Sequence, residues 1–128
     1  MITLGNGVDI IENNRIKKSI KNKKFIKRVF SETEIILANK NYNKTNYYAK
    51  RFAAKEAFLK AIGTGLRNGI NFKDISIKNN VQGKPFIIIN DKIKKIIKKK
   101  FKTSKFKIYL SLSDEKKYSI AYVVLNKI

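Results

Sequence analysis

The chain has 128 residues, enough for one domain spanning residues 1–128 with a modest core but not for two. It contains no Cys and no His, which excludes a disulfide framework, a thiol nucleophile, an imidazole base and the usual zinc sites, and leaves acid–base work to Asp, Glu, Lys, Tyr or water. A net charge of +21 points to an acidic partner without naming it, although a composition rich in Lys, Asn and Ile is also what an AT-rich genome produces.

The apolar run from Ile2 to Ile11 predicts a first strand. Asp9 is among the residues least suited to a strand interior, and Gly5 and Gly7 before it mark a place where the backbone bends or something approaches closely. Taken alone, Asp9 could equally cap a helix that follows. That helix carries Ile16 and Ile20 one turn apart above a run of Lys, and Phe25, Ile26, Val29 and Phe30 form a second short amphipathic piece. Ser31-Glu32-Thr33-Glu34 has the Ser-x-x-Glu form of a capping box, so a helix should start at Glu32 and carry Ile35, Ile36 and Leu37. A polar loop from Lys40 to Asn46 then leads to a central helix from about Tyr47 to Ile62, stopped by Gly63.

On that helix, Phe52, Glu56, Leu59 and Gly63 fall on one narrow face, with Ala49 and Ala53 beside them. A carboxylate on an apolar stripe implies a cation, a donor set or a metal opposite it. The plainer alternative is an i,i+4 pair with Lys60, which stabilises a helix by about 0.3 kcal/mol. If the first strand and this helix meet, Asp9 and Glu56 form an all-oxygen site suited to a hard divalent cation.

The second half reads as sheet. Asp74 to Lys78 alternates, Pro85 to Ile89 is an apolar run, and Phe106, Ile108, Leu110 and Leu112 alternate as a half-buried strand does. Tyr118 to Leu125 is the final strand, reached through the polar turn Asp114 to Lys117. Between them Ile93, Ile96, Ile97 and Phe101 give a short cationic helix behind Asn90-Asp91. The fold class is α+β, an antiparallel sheet packed against a central helix.

Several motifs occur in order along nearly the whole chain: Gly7-Val8-Asp9-Ile10 with Arg15, the block from Arg51 to Gly65, Phe72-x-Asp74-Ile75-x-Ile77, Gly83-Lys84-Pro85, and Leu110 to Lys116. Together they resemble the holo-(acyl-carrier-protein) synthases, the small trimeric 4′-phosphopantetheinyl transferases of fatty acid synthesis. The resemblance implies transfer of 4′-phosphopantetheine from coenzyme A to a serine of apo acyl carrier protein, releasing 3′,5′-ADP. It implies Mg²⁺, with Mn²⁺ as an alternative, held by Asp9 and Glu56, and a homotrimer whose sites lie between subunits. Lys60 would stabilise or protonate the leaving phosphate, and the serine proton would go to metal-bound water or hydroxide oriented by Glu56.

By the same resemblance, Arg51, Lys55 and the Gly63-Thr64-Gly65 loop are candidates for holding the nucleotide phosphates, although the glycines read equally as a helix stop. Lys84 and Pro85 would flank the adenine from a neighbouring subunit. Tyr109 stands where many family members have His, two residues before Ser111; Tyr can stack or hydrogen-bond but adds no positive charge. Arg15, Lys21, Lys24 and Arg28 would face the acidic helix of the carrier protein, with Phe25 either anchoring between them or packed in the core.

Two rival readings start from the Lys-rich segment at Ile93. Nucleic-acid binding leaves Asp9 and Glu56 unexplained and lacks any aromatic, zinc-finger or Gly-x-x-Gly signature. Attachment to anionic lipid would use the same cationic amphipathic segment, which is short and reads more readily as a packed helix with a solvated Lys face. No nucleic-acid partner is therefore expected. No apolar run reaches the roughly 20 residues of a membrane span, the amino terminus lacks a signal-peptide pattern, and the expected location is the cytoplasm.

Overall fold

Alternating apolar positions build two antiparallel sheets, and one long helix lies across the larger. The computed structural model describes residues 1–128. In chain order the elements are β1 (Ile2–Glu12), α1 (Asn13–Ser19), α2 (Lys23–Val29), α3 (Glu32–Asn39), α4 (Lys44–Ile62), β2 (Ile75–Asn79), β3 (Pro85–Ile89), α5 (Asp91–Phe101), β4 (Phe106–Asp114) and β5 (Tyr118–Lys127). The strands form a three-stranded sheet in the order β1-β5-β4 and a separate β2-β3 pair.

The local signals explain most boundaries. Ser31 and Glu34 form the capping box, each side chain bonded to the other's backbone N–H. Gly63 ends α4 in the left-handed region at φ 73°. The helix begins three residues before the expected Tyr47, because the Asn43 side chain accepts from the Asn46 N–H and so caps a turn of Lys, Thr and Asn that reads as loop. Asp74, expected to open a strand, instead closes a short 3-10 turn over Phe72–Asp74. The apolar side of α5 is spent in the core, where Ile93 and Ile97 are fully buried, so it is not available to enter a lipid surface.

Against the larger sheet, α4 is buried on almost every side. Phe52 and Glu56 are half-buried and Lys60 is exposed. The line through Glu56 is therefore the open edge of the helix. Its apolar neighbours had pointed to the buried stripe, but Ala53, Ala57, Ala61 and Leu59 turn toward the protein and leave Glu56 at the rim.

The small residues have a definite purpose. A Cβ built on Gly7 would lie 2.0 Å from the backbone oxygen of Ala57, and one on Gly5 would lie 2.0 Å from that of Ala61. These glycines therefore let the helix backbone rest directly on β1, which is the close approach that the sequence leaves open. Gly7→Ala is expected to cost about 1–3 kcal/mol, since the obstacle is backbone and cannot swing aside. A lowered denaturant midpoint measures this, with the fully exposed Val81→Ala, expected to stay within about 0.5 kcal/mol, as control.

Candidate active site

Close packing of α4 on β1 decides where the acids meet. Asp9 sits in mid-strand opposite Ala121, and the residue before α1 is Glu12, so Asp9 is not a helix cap. Its carboxylate accepts from Lys60 Nζ at 3.2 Å, and the same ammonium donates to Val8 O at 2.9 Å. Lys60 thus bridges to the strand instead of pairing with Glu56 along the helix. Glu56 takes part in none of the four ion pairs of the chain.

Burial raises the pKa of Glu56 first, and the nearby Asp9 charge raises it further, against a smaller opposing effect of Lys60. Burial also raises Asp9, opposed by Lys60 and Arg15. Two desolvated carboxylates side by side, one without any partner in the chain, make a donor set that a cation would stabilise. No third Asp or Glu joins them. A pair of carboxylates suits Mg²⁺, which keeps its other positions for water and phosphate oxygens.

A second group gathers on another side of α4. Arg51 and Glu56 are five residues apart, about 140° around the helix axis. Arg51 stacks its guanidinium 3.8 Å from the centre of the Tyr47 ring and donates to Asn79 Oδ1 at 2.7 Å. Its Nε is buried without a partner, as is the Tyr47 hydroxyl. Both residues line a cavity of about 590 Å³ together with Lys50, Asn79, Gly83 and Pro85. Tyr47 and Asn79 are additions to the sequence-derived set. Lys84 is exposed beside the cavity, on the turn that Asn80 closes by accepting from the Lys84 N–H.

Residues 5–123 match the family profile of the 4′-phosphopantetheinyl transferase superfamily. The chain belongs to that superfamily. It is 64% identical over 127 residues to the holo-[acyl-carrier-protein] synthase of Pelagibacter ubique, with 99% of both chains covered, and 47% identical to that of Ehrlichia chaffeensis, with 95% of both covered. In structure it resembles the holo-[acyl-carrier-protein] synthase of Neisseria meningitidis, with TM-score 0.87, 34% identity and coverage of 98% of this chain and 100% of the other. A synthase from Bacillus anthracis solved in complex with CoA (3′,5′-ADP) superimposes over the full length of both chains, with TM-score 0.82 and 35% identity.

Within this superfamily fold the remaining candidates fall in distinct places. Lys55 does not reach either group: it is fully buried, donating to Glu34 Oε1 and to Val29 O at 2.7 Å each. It is thus removed from the nucleotide-binding set. The N–H groups of Gly63 and Thr64 are also committed, both donating to Leu59 O, so the glycine loop acts as a helix stop and only the Gly65 N–H is free of a backbone partner. Tyr109 and Ser111 lie on the outer face of the larger sheet, opposite Val124 and Tyr122. Arg15, Lys21, Lys24 and Arg28 are exposed on α1, α2 and the turn between them, while Phe25 is half-buried, 6.0 Å from Phe52 between ring centres.

A raised carboxylate pKa means that the folded chain holds its proton more tightly than the unfolded chain does. Stability then falls as pH rises through the window between the ordinary and the raised values. In EDTA, Glu56→Gln should therefore melt higher than wild type at pH 8, and the gain should vanish at pH 3, below both values. Thermal melts at the two pH values measure it.

Proposed function

We propose that this chain transfers 4′-phosphopantetheine from coenzyme A to a serine hydroxyl of apo acyl carrier protein, releasing 3′,5′-ADP and giving holo carrier protein for fatty acid synthesis. The observation that carries the reading is the Asp9, Glu56 and Lys60 cluster on the open edge of α4, in a chain whose relatives bear the name of that activity. Residues 1–128 act as one domain, in the cytoplasm where carrier protein and coenzyme A are available. No helix is long and apolar enough to cross a membrane.

Asp9 and Glu56 would hold Mg²⁺, or Mn²⁺ in its place, and the ion when bound supplies charge neutralisation at the pyrophosphate. Lys60 is half exposed, so its pair with Asp9 contributes little, about 0–1 kcal/mol, and the ammonium is free to turn to the leaving phosphate oxygen. The serine oxygen forms the new bond to phosphorus as the bond to the 3′,5′-ADP oxygen breaks. Glu56, without a partner in the chain, is the acceptor available for the serine proton, directly or across one water. Positioning and charge do most of such chemistry, which suits a chain without His or Cys.

Arg51, with its unpartnered Nε, and the cavity bounded by Asn79, Gly83 and Pro85 would take the nucleotide end, with Lys84 beside it. This half-site and the acid cluster occupy different sides of one chain, so a complete site needs two copies. The outer face of the larger sheet supports that arrangement: Val8, Ile10, Ile120 and Tyr122 are exposed there, with Tyr109 and Ser111 alongside. An uncovered apolar face of this kind marks an interface, and a cyclic homotrimer would close it. The exposed Arg15, Lys21, Lys24 and Arg28 offer an acidic carrier protein a complementary surface, with Phe25 as its apolar centre.

Intact-mass analysis of apo acyl carrier protein incubated with the chain, coenzyme A and Mg²⁺ should show the gain of one phosphopantetheine. The gain should be lost in EDTA and reduced by at least about 10²-fold in Glu56→Ala. No gain from a well-folded wild-type sample would overturn the reading. The same assay tests the shared site: Glu56→Ala and Arg51→Ala chains, each weak at low coenzyme A, should regain about a quarter of wild-type activity once their subunits mix, because a cyclic assembly then pairs intact halves.

A further inference from the structure

The most deeply buried charges of the molecule lie outside both half-sites. Lys55 and Glu34 have no exposed side-chain surface, and their ion pair is 2.7 Å long. Apart from the local cap at Ser31, each of their hydrogen bonds joins two different elements. Lys55 Nζ, on α4, donates to the carbonyl of Val29, the last residue of α2. Glu34, on α3, accepts from the N–H of Ser31 through Oε1 and from the N–H of Ile77 on β2 through Oε2. Such a pair is a poor source of net stability, because apolar residues of similar volume would fill the same space without the cost of desolvating two charges. What hydrogen bonds do supply, and apolar packing does not, is direction.

The direction in question is that of α2. This helix has only seven residues, too short to hold its own orientation, and it carries Lys24, Phe25 and Arg28. Three contacts tie it to the protein around Lys55. The ammonium holds its C-terminal carbonyl at Val29, lies 5.3 Å from the centre of the Phe30 ring, and Phe30 in turn meets Phe25 edge-on at 6.2 Å. Phe25 then packs on Phe52, one helical turn before Glu56. Lys55 is thus joined to the partner-facing helix on one side and is the covalent neighbour of Glu56 on the other.

We infer that Lys55, paired with Glu34, is a positioning residue that sets the angle of α2 on α4, so that a carrier protein docked on Lys24, Phe25 and Arg28 presents its serine to the edge bearing Glu56. The inference rests on the transferase reading, and concerns the carrier protein rather than coenzyme A. The nucleotide half-site proposed above is built from Arg51, Asn79 and the β2-β3 turn, none of which bonds to Lys55, and β2 is held by β3 along its whole length as well as by Glu34 at Ile77.

The test is Lys55→Met, which keeps the length of the side chain and removes its N–H groups. Steady-state transfer is measured with each substrate varied in turn, together with the affinity for fluorescently labelled apo carrier protein in the absence of coenzyme A. The expected result is a rise of about tenfold in carrier KM and in carrier Kd, with coenzyme A KM within twofold of wild type. If Lys55→Met does not fold, Lys55→Met/Glu34→Gln removes the unpaired charge and carries the same expectation; Lys55→Arg, which keeps the cation, should restore most of the carrier affinity. A merely structural role would lower the melting temperature and the active fraction while leaving both KM values unchanged, and that outcome, or an equal rise in both, overturns the inference. Absence of transfer by wild type would instead count against the transferase reading, and the carrier affinities would still decide the role of Lys55.

Discussion

The backbone of α4 rests on the backbone of β1, with no side chain between them where Gly7 meets Ala57 and Gly5 meets Ala61. Everything proposed for the acid cluster depends on that approach. It brings an acid from mid-strand and an acid from a helix edge close enough for the Asp9 charge to raise the cost of ionising Glu56, and it lets Lys60 reach back to Val8 and Asp9. A larger residue at either glycine would lift the helix off the sheet and pull the carboxylates apart. The alanines of α4 are the helix's half of the same arrangement, since any longer side chain at Ala57 or Ala61 would need the space that β1 occupies.

Charge on this molecule is sorted by depth, and depth separates roles that look alike in sequence. Lys55 and Lys60 stand five residues apart on one helix, about 140° around its axis. The first is fully buried and bonded to Glu34 and Val29, while the second is exposed beside an acid that a metal would claim. Arg51, about 40° from Lys55 around the helix axis and one turn before it, is buried against Tyr47. On the proposed reading, one helix therefore supplies a structural joint, a catalytic edge and half of a nucleotide pocket. The geometry of a 3.6-residue turn sets the acid edge about 140° from Arg51, so the two half-sites proposed for the transferase face different directions.

Much of this was legible from residue types alone. An Asp in a strand after two glycines and a Glu among alanines are both out of place, and the fold brings them to one edge. The capping box at Ser31 and Glu34 was equally plain, but its deeper purpose was not: Glu34 reads as an ordinary capping acid, and only the fold shows its second oxygen holding Ile77 and its first holding Lys55. Lys55 was misplaced for the same reason, because a Lys in a helix motif reads as exposed unless its burial is known. Asn79 was invisible because it meets Arg51 across 28 residues of chain, and Tyr47, one turn before Arg51 on α4, because an aromatic at that spacing reads as core. The start of α4 was missed because Thr45 and Asn46 are weak helix formers that a cap at Asn43 overrules.

The claim that most of the account rests on is that Asp9 and Glu56 form one divalent-cation site. Mn²⁺ binding followed by electron paramagnetic resonance, with coenzyme A present, tests it most directly. The account predicts one strong site per chain in wild type and a loss of at least about tenfold in affinity in both Asp9→Asn and Glu56→Gln. Unchanged affinity in either folded variant would contradict it, and would leave these two acids without a shared purpose.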